Sequence, residues 1–128
     1  MRLAAEDCAG RVKAVAGDFS KQRLPVADVI VMGNVLHDWD LETKVSLIRK
    51  AWEALTDGGA LVVIEDVIDD ARRENASGLL MSLNMLVETA GGFNFSFAQF
   101  SGWTRSSGFA RTDRIQLEGT SAALVAYR

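Results

Sequence analysis

Val29-Ile30-Val31-Met32-Gly33-Asn34-Val35-Leu36-His37-Asp38-Trp39-Asp40 is the stretch on which the fold turns. It begins as an apolar, β-branched run and ends beside the single histidine of the chain. Such a run suits a strand buried on both faces of a parallel sheet, which predicts a strand over 27–32. Asp40 reads as a helix N-cap, with Glu42 in the first turn where the helix dipole favours an acid. Val45, Ile48, Trp52 and Leu55 then recur at helical spacing, and Asp57-Gly58-Gly59 is expected to end this helix in a left-handed turn. In an open α/β sheet, chemistry gathers outside the carboxyl ends of the strands. His37 stands at such an end with Asp38 beside it, a place from which an imidazole can move a proton near neutral pH. From position alone, a histidine that caps the strand or fills a core pocket is the alternative.

Working outward, Val12 to Gly17 alternates and predicts a short strand with Asp18-Phe19 at its carboxyl end. Pro25 fixes φ in the turn that follows. Ala60 to Ile64 predicts a further strand ending in Glu65-Asp66, and 69–75 reads as a charged loop. Leu79, Leu83, Leu86, Val87 and Ala90 mark a second amphipathic helix, with Met81 and Met85 on a different face and Gly91-Gly92 stopping it. Ser96 caps a third helix carrying Phe97, Phe100, Trp103 and Thr104, closed by Gly108. Ile115 to Leu117 and Ala122 to Tyr127 are spaced for an antiparallel hairpin. This order predicts an α/β sheet with an antiparallel edge.

The 128 residues fit one domain, and a hydrophobic fraction of 48% supports a packed core. A net charge of −3 with scattered basic residues argues against a nucleic-acid partner. No apolar run is long enough to span a membrane, and the acids near the N-terminus do not suit a signal peptide. A cytoplasmic protein is therefore expected. Cys8 is the only cysteine, read as a small reduced filler. Asp38 with Asp40, and Glu65, Asp66, Asp69 and Asp70, are acids from which a magnesium site could be built. Capping and solvation account for them, so no metal is expected.

Gly17-Asp18-Phe19, Leu24-Pro25-Val26-Ala27-Asp28, Val35-Leu36-His37-Asp38-Trp39-Asp40 and Gly58-Gly59-Ala60-Leu61-Val62-Val63-Ile64-Glu65 follow one another in order. Together they resemble the C-terminal catalytic part of the S-adenosylmethionine-dependent small-molecule O-methyltransferases, such as plant phenolic enzymes and bacterial enzymes of pigment, antibiotic and polyketide tailoring. The resemblance covers nearly the whole chain and implies a partial Rossmann-like methyltransferase sheet, with helices on its faces and the hairpin at its end. It implies S-adenosylmethionine as cofactor, with Asp18 accepting from the adenine amino group and Phe19 packing on the adenine ring. A capping acid and a core aromatic are the alternatives for that pair. Asn34, with Gly33, stands where the family often has basic residues, and is carried over as a cofactor contact. His37 would take the proton of a substrate hydroxyl as its oxygen attacks the sulfonium methyl group. Glu65 would orient the imidazole and offset its charge, unless it is simply a surface acid. Asp38, Met81, Asn84 and Met85 fall where members line the acceptor pocket, although ordinary helix packing explains the methionines equally well.

The pattern breaks in two places. The glycine-rich loop and the ribose-binding acid of the first two strands are missing, as is an N-terminal helical dimerisation domain. The chain therefore reads as a truncated form with an open edge at the 27–32 strand. Such an edge invites a homodimer or association with a missing N-terminal half. The family's Gly-Gly-Lys-Glu-Arg-Thr-like run is here Gly91-Gly92-Phe93-Asn94-Phe95-Ser96, so Asn94 replaces an acid beside the histidine. An amide can orient an imidazole but cannot offset its charge. Two other readings stand beside a methyltransferase of a small hydroxylated molecule. One is a non-catalytic relic or regulatory partner that has lost the cofactor. The other is a nicotinamide-dependent oxidoreductase, which the missing glycine fingerprint argues against.

Overall fold

The computed structural model describes residues 10–128, so Cys8 lies outside the described residues. Four strands form one sheet: β1 Ala27–Gly33, β2 Leu55–Glu65, β3 Arg111–Gln116 and β4 Ala122–Tyr127, in the order β1-β2-β4-β3. β1 and β2 run parallel, while β4 is antiparallel to both β2 and β3. The helices are α1 Leu41–Ala54, α2 Ala76–Glu88 and α3 Phe97–Ser106, with a 3-10 turn at Leu36–Asp38. This is the mixed α/β sheet with a C-terminal antiparallel hairpin that the sequence predicts.

Register assigns the two faces. Met32 pairs with Val63, which pairs with Leu124, so Ile30, Met32, Leu61, Val63, Glu65, Ala122, Leu124 and Ala126 share one face. Leu47, Ile48 and Ala51 of α1 and Phe100 of α3 close over that face to make the core. Val29 and Val31 point the other way and are 55% and 61% exposed. The expectation of a strand buried on both faces is thus corrected. β1 is the edge strand of the described residues, and only its Ile30–Met32 side meets helices.

Three further expectations are corrected. Residues 12–17 form no strand, and Val12 and Val15 are exposed. Their alternation finds no neighbouring strand to supply hydrogen bonds among the described residues. Second, α1 ends at Ala54, before the Asp57-Gly58-Gly59 turn. The glycines build a bulge inside β2 instead: the register steps from Ala27↔Leu55 to Val29↔Ala60. Gly58 has φ +79°, and a Cβ on Gly59 would stand 2.8 Å from the Asp28 carbonyl, so both conformations favour glycine. Third, α2 is turned around. Its buried residues are Gly78 and Met85, while Leu83, Leu86 and Val87 face outward, the last two 69% and 85% exposed. Gly78 lets the helix come close, since a Cβ there would lie 2.9 Å from Ile68 Cγ2. Close approach on the small face outweighs the wider leucine stripe.

Candidate active site

Parallel pairing of β1 with β2 brings their carboxyl ends together. The Asn34 amide donates to the Ile64 carbonyl at 3.0 Å and extends the ladder to the last residue before Glu65. Asn34 itself is exposed with φ +51°, a conformation that turns the chain out of the sheet. The 3-10 turn follows, anchored by fully buried Leu36. Glu65, 1% exposed at the end of β2, lies beneath it. Its Oε1 accepts the Leu36 amide at 3.0 Å and the His37 amide at 3.3 Å, which satisfies the first donors of the turn. Its Oε2 lies 2.6 Å from His37 Nδ1. A carboxylate only accepts, so the imidazole proton sits on Nδ1 and the lone pair on Nε2. Nε2 lies 3.3 Å from Asp38 Oδ1, a second carboxylate able to accept once Nε2 is protonated.

Asn94 is buried close by in the chain segment that follows α2, but no hydrogen bond joins it to His37. Its backbone amide donates to Ser82 Oγ at 3.1 Å and its Nδ2 to the Asp66 carbonyl at 2.9 Å. Its Oδ1 is buried without a partner among the described residues. Met85 is buried, Met81 half-buried and Asn84 exposed on α2. A cleft of about 490 Å³ opens beside Asp38, between Trp39 and Asp40 and the Glu88–Ala90 end of α2.

The Asp18–Phe19 turn docks on Trp39 and α1. The Phe19 ring meets Trp39 edge-on at 5.8 Å. Lys50 Nζ pins the turn to α1 by donating to the carbonyls of Phe19 at 2.8 Å, Ser20 at 2.7 Å and Gln22 at 3.3 Å. The Ser20 hydroxyl and amide hold the exposed Asp18 carboxyl below the usual carboxylate range, and an ionised acceptor suits an exocyclic amine. Asp40 caps α1 as expected, accepting the Thr43 amide at 2.8 Å. That bond also keeps its carboxyl below the usual range. The other acids have structural partners: Asp69 accepts the Arg73 and Glu74 amides, Asp66 the Thr120 and Ser121 hydroxyls, and Asp70 the Ser96 hydroxyl.

Sequence reading missed two neighbours of the site. Gly92 packs on the His37 turn: a Cβ there would stand 2.5 Å from the His37 carbonyl and 2.8 Å from the Asp38 carbonyl carbon. Backbone cannot yield easily, so Gly92→Ala is expected to cost about 1–3 kcal/mol. A urea midpoint equal to wild type would refute the close approach. The other is Lys44, fully buried on the inner face of α1. Its position one turn before Ile48 on the apolar stripe is the signal that could have exposed it. Burial pushes the Lys44 ammonium down to about 8, partly opposed by the carboxylates of Glu65, Asp40 and Asp38.

That shift sets a pH dependence. An unfolded lysine titrates near 10.4, so between about pH 8 and 10.4 the unfolded chain binds more protons than the folded one. Stability therefore rises with pH across this window, by about 3 kcal/mol in all, and the burial penalty is fully present below it. Urea midpoints of wild type should climb there relative to Lys44→Met. Parallel curves for the two proteins would contradict the burial of a charge.

A parallel strand pair that ends in an imidazole held by a buried carboxylate places a candidate acid–base group at the carboxyl edge of an α/β sheet. Comparison with known proteins narrows the class. The O-methyltransferase domain family matches residues 2–110, and the chain belongs to it. The tetracenomycin polyketide synthesis 8-O-methyl transferase of Streptomyces glaucescens is 40% identical over 109 residues, covering 85% of this chain and 32% of that protein. The 3-hydroxy-5-methyl-1-naphthoate 3-O-methyltransferase of Streptomyces sahachiroi is 32% identical over 122 residues, covering 94% and 35%. Among solved structures, human N-acetylserotonin methyltransferase in complex with SAM superposes with a TM-score of 0.82 at 32% identity, over 88% of this chain and 32% of that one. A methyltransferase of calicheamicin biosynthesis with SAH bound gives 0.84 at 26% identity, over 98% and 37%. The chain thus spans about a third of the length of the relatives it matches. No described helix is long and apolar enough to cross a membrane.

Proposed function

We propose that this chain carries the catalytic end of an S-adenosylmethionine-dependent O-methyltransferase, and that His37 is its general base. The 2.6 Å bond between His37 Nδ1 and the buried Glu65 carries the reading. It leaves Nε2 free to take the proton of an acceptor hydroxyl. A phenol is a weak nucleophile while protonated, so a base of near-neutral pKa lowers the barrier to its attack. Glu65 fixes the tautomer and offsets the imidazolium charge, and Asp38 receives the new Nε2–H. S-adenosylmethionine, when bound, supplies an electrophilic methyl group on a sulfonium. Asp18 would accept from its adenine amino group, Phe19 would cover the ring, and Asn34 would line the strand end. The ionised Asp18 carboxylate and the partly exposed Phe19 ring suit those roles. The acceptor would be a small aromatic or polyketide-like hydroxyl compound, by analogy with the relatives' names. It would enter beside Asp38, with Met81, Asn84 and Met85 shaping the α2 side and Asn94 the loop side.

The same reading gives the 128 residues only part of a cofactor cradle. Charge-assisted hydrogen bonds to the ribose and amino-acid ends have no donors assigned here, and each is worth about 1.5–3 kcal/mol. Losing several would weaken a ligand from about micromolar to about millimolar. The β1 edge, uncovered among the described residues, and the outward leucines of α2 would then be covered by another protein surface, from a second copy or from a longer protein context. Calorimetric titration with S-adenosylhomocysteine, with sedimentation of the pure chain, tests both halves. Weak binding and self-association are expected. A monomer with micromolar affinity would show that the cradle is complete. No binding at any reachable concentration would favour a non-catalytic partner instead.

A further inference from the structure

Lys44 is 0% exposed, yet no carboxylate lies within ion-pair distance of it among the described residues. Its charge is met in another way. Nζ donates to the carbonyl of Trp39 and sits 3.6 Å from the centre of the Phe93 ring, with Phe95 at 5.9 Å. These partners belong to different segments. Trp39 closes the turn that carries His37, while Phe93 and Phe95 flank Asn94. One ammonium therefore ties the catalytic turn to the loop opposite it, and Gly92 of that loop already rests on the His37 carbonyl.

A leucine or methionine would fill this position on the apolar stripe of α1 without the penalty of a buried charge. The cation lowers stability at neutral pH, so its contribution lies in arrangement. A carbonyl and an aromatic face are both directional partners for an ammonium, whereas an apolar side chain would hold neither in place. We propose that Lys44 is a positioning residue, whose buried ammonium fixes the His37 turn against the Phe93–Phe95 loop and so sets where the imidazole stands. The catalytic consequence rests on the function proposed above; the placement does not.

The test compares wild type with Lys44→Met, which keeps the stem and removes the charge. Two readouts are local: the far-downfield proton of His37 Nδ1, and the exchange of the Leu36 and His37 amides relative to amides at the centre of β2. The variant should shift or broaden the Nδ1 proton and speed exchange of the two turn amides about tenfold, while its urea midpoint at neutral pH does not fall. Phe93→Leu removes the ring beneath the ammonium, with its edge contact to Trp103, and should act in the same direction, which keeps the test open if Lys44→Met does not fold. An unchanged Nδ1 proton and unchanged exchange would overturn the proposal. So would a uniform rise in exchange with a lower urea midpoint, since that is the mark of a merely structural residue. Wild type that transfers no methyl group would count against the proposed function alone, because both local readouts need no turnover.

Discussion

In a protein context that completes the cofactor site, His37→Ala is expected to lower methyl transfer about a hundredfold or more, the usual contribution of a positioned general base. Nε2 is the imidazole nitrogen with a lone pair, because Nδ1 is committed to Glu65 at 2.6 Å. Asp38 Oδ1, 3.3 Å from Nε2, would accept the Nε2–H once it forms. Single-turnover assays by mass spectrometry, with the cofactor at saturating concentration, give the comparison. Turnover close to wild type in the variant would remove the assignment of His37 as base.

The second large effect is expected at Glu65, which acts on both chemistry and fold. Its two oxygens serve three donors, the amides of Leu36 and His37 and the imidazole Nδ1–H. Glu65→Gln keeps the shape but turns an NH₂ group toward at least one of those donors and removes the charge that offsets an imidazolium. A hydrogen bond to a charged group contributes about 1.5–3 kcal/mol, so a loss of about 2 kcal/mol in stability should accompany a large drop in turnover. Asn94→Ala should lower turnover less, because Asn94 carries no charge and makes no bond to His37. Its removal gives up the bond to the Asp66 carbonyl and also deletes a buried oxygen with no partner. Equal turnover in Glu65→Gln and wild type, measured with urea midpoints, would show that Glu65 only caps the turn.

Much of this site could be read from residue order. The apolar run before Gly33, the Asp40 cap and the Ser96 cap are local signals, and each element they mark is present. His37 and Glu65 meet because both follow parallel strands, a consequence of topology that strand order already implied. What failed depended on partners that local pattern cannot name. Val12–Gly17 alternates like a strand but has none beside it among the described residues, and Asp57-Gly58-Gly59 carries the chemistry of a helix stop yet bends a strand. In α2, apolar residues lie on more than one face, so periodicity could not tell which side meets protein. Lys44 was passed over for a related reason, although its place on the apolar stripe of α1 was a signal. A lysine in an amphipathic helix is assigned to solvent by composition, and only the closure of Phe93 and Trp39 around it makes it interior.

The most direct test of the central reading is a residue-resolved NMR titration of the labelled chain with S-adenosylhomocysteine. Saturable shifts at about millimolar ligand are expected at Asp18, Phe19, Gly33, Asn34 and His37, with the hairpin β3–β4 unaffected. Shifts confined to other surfaces, or none at these residues at the highest soluble concentration, would contradict a methyl-donor site at the carboxyl edge of β1 and β2.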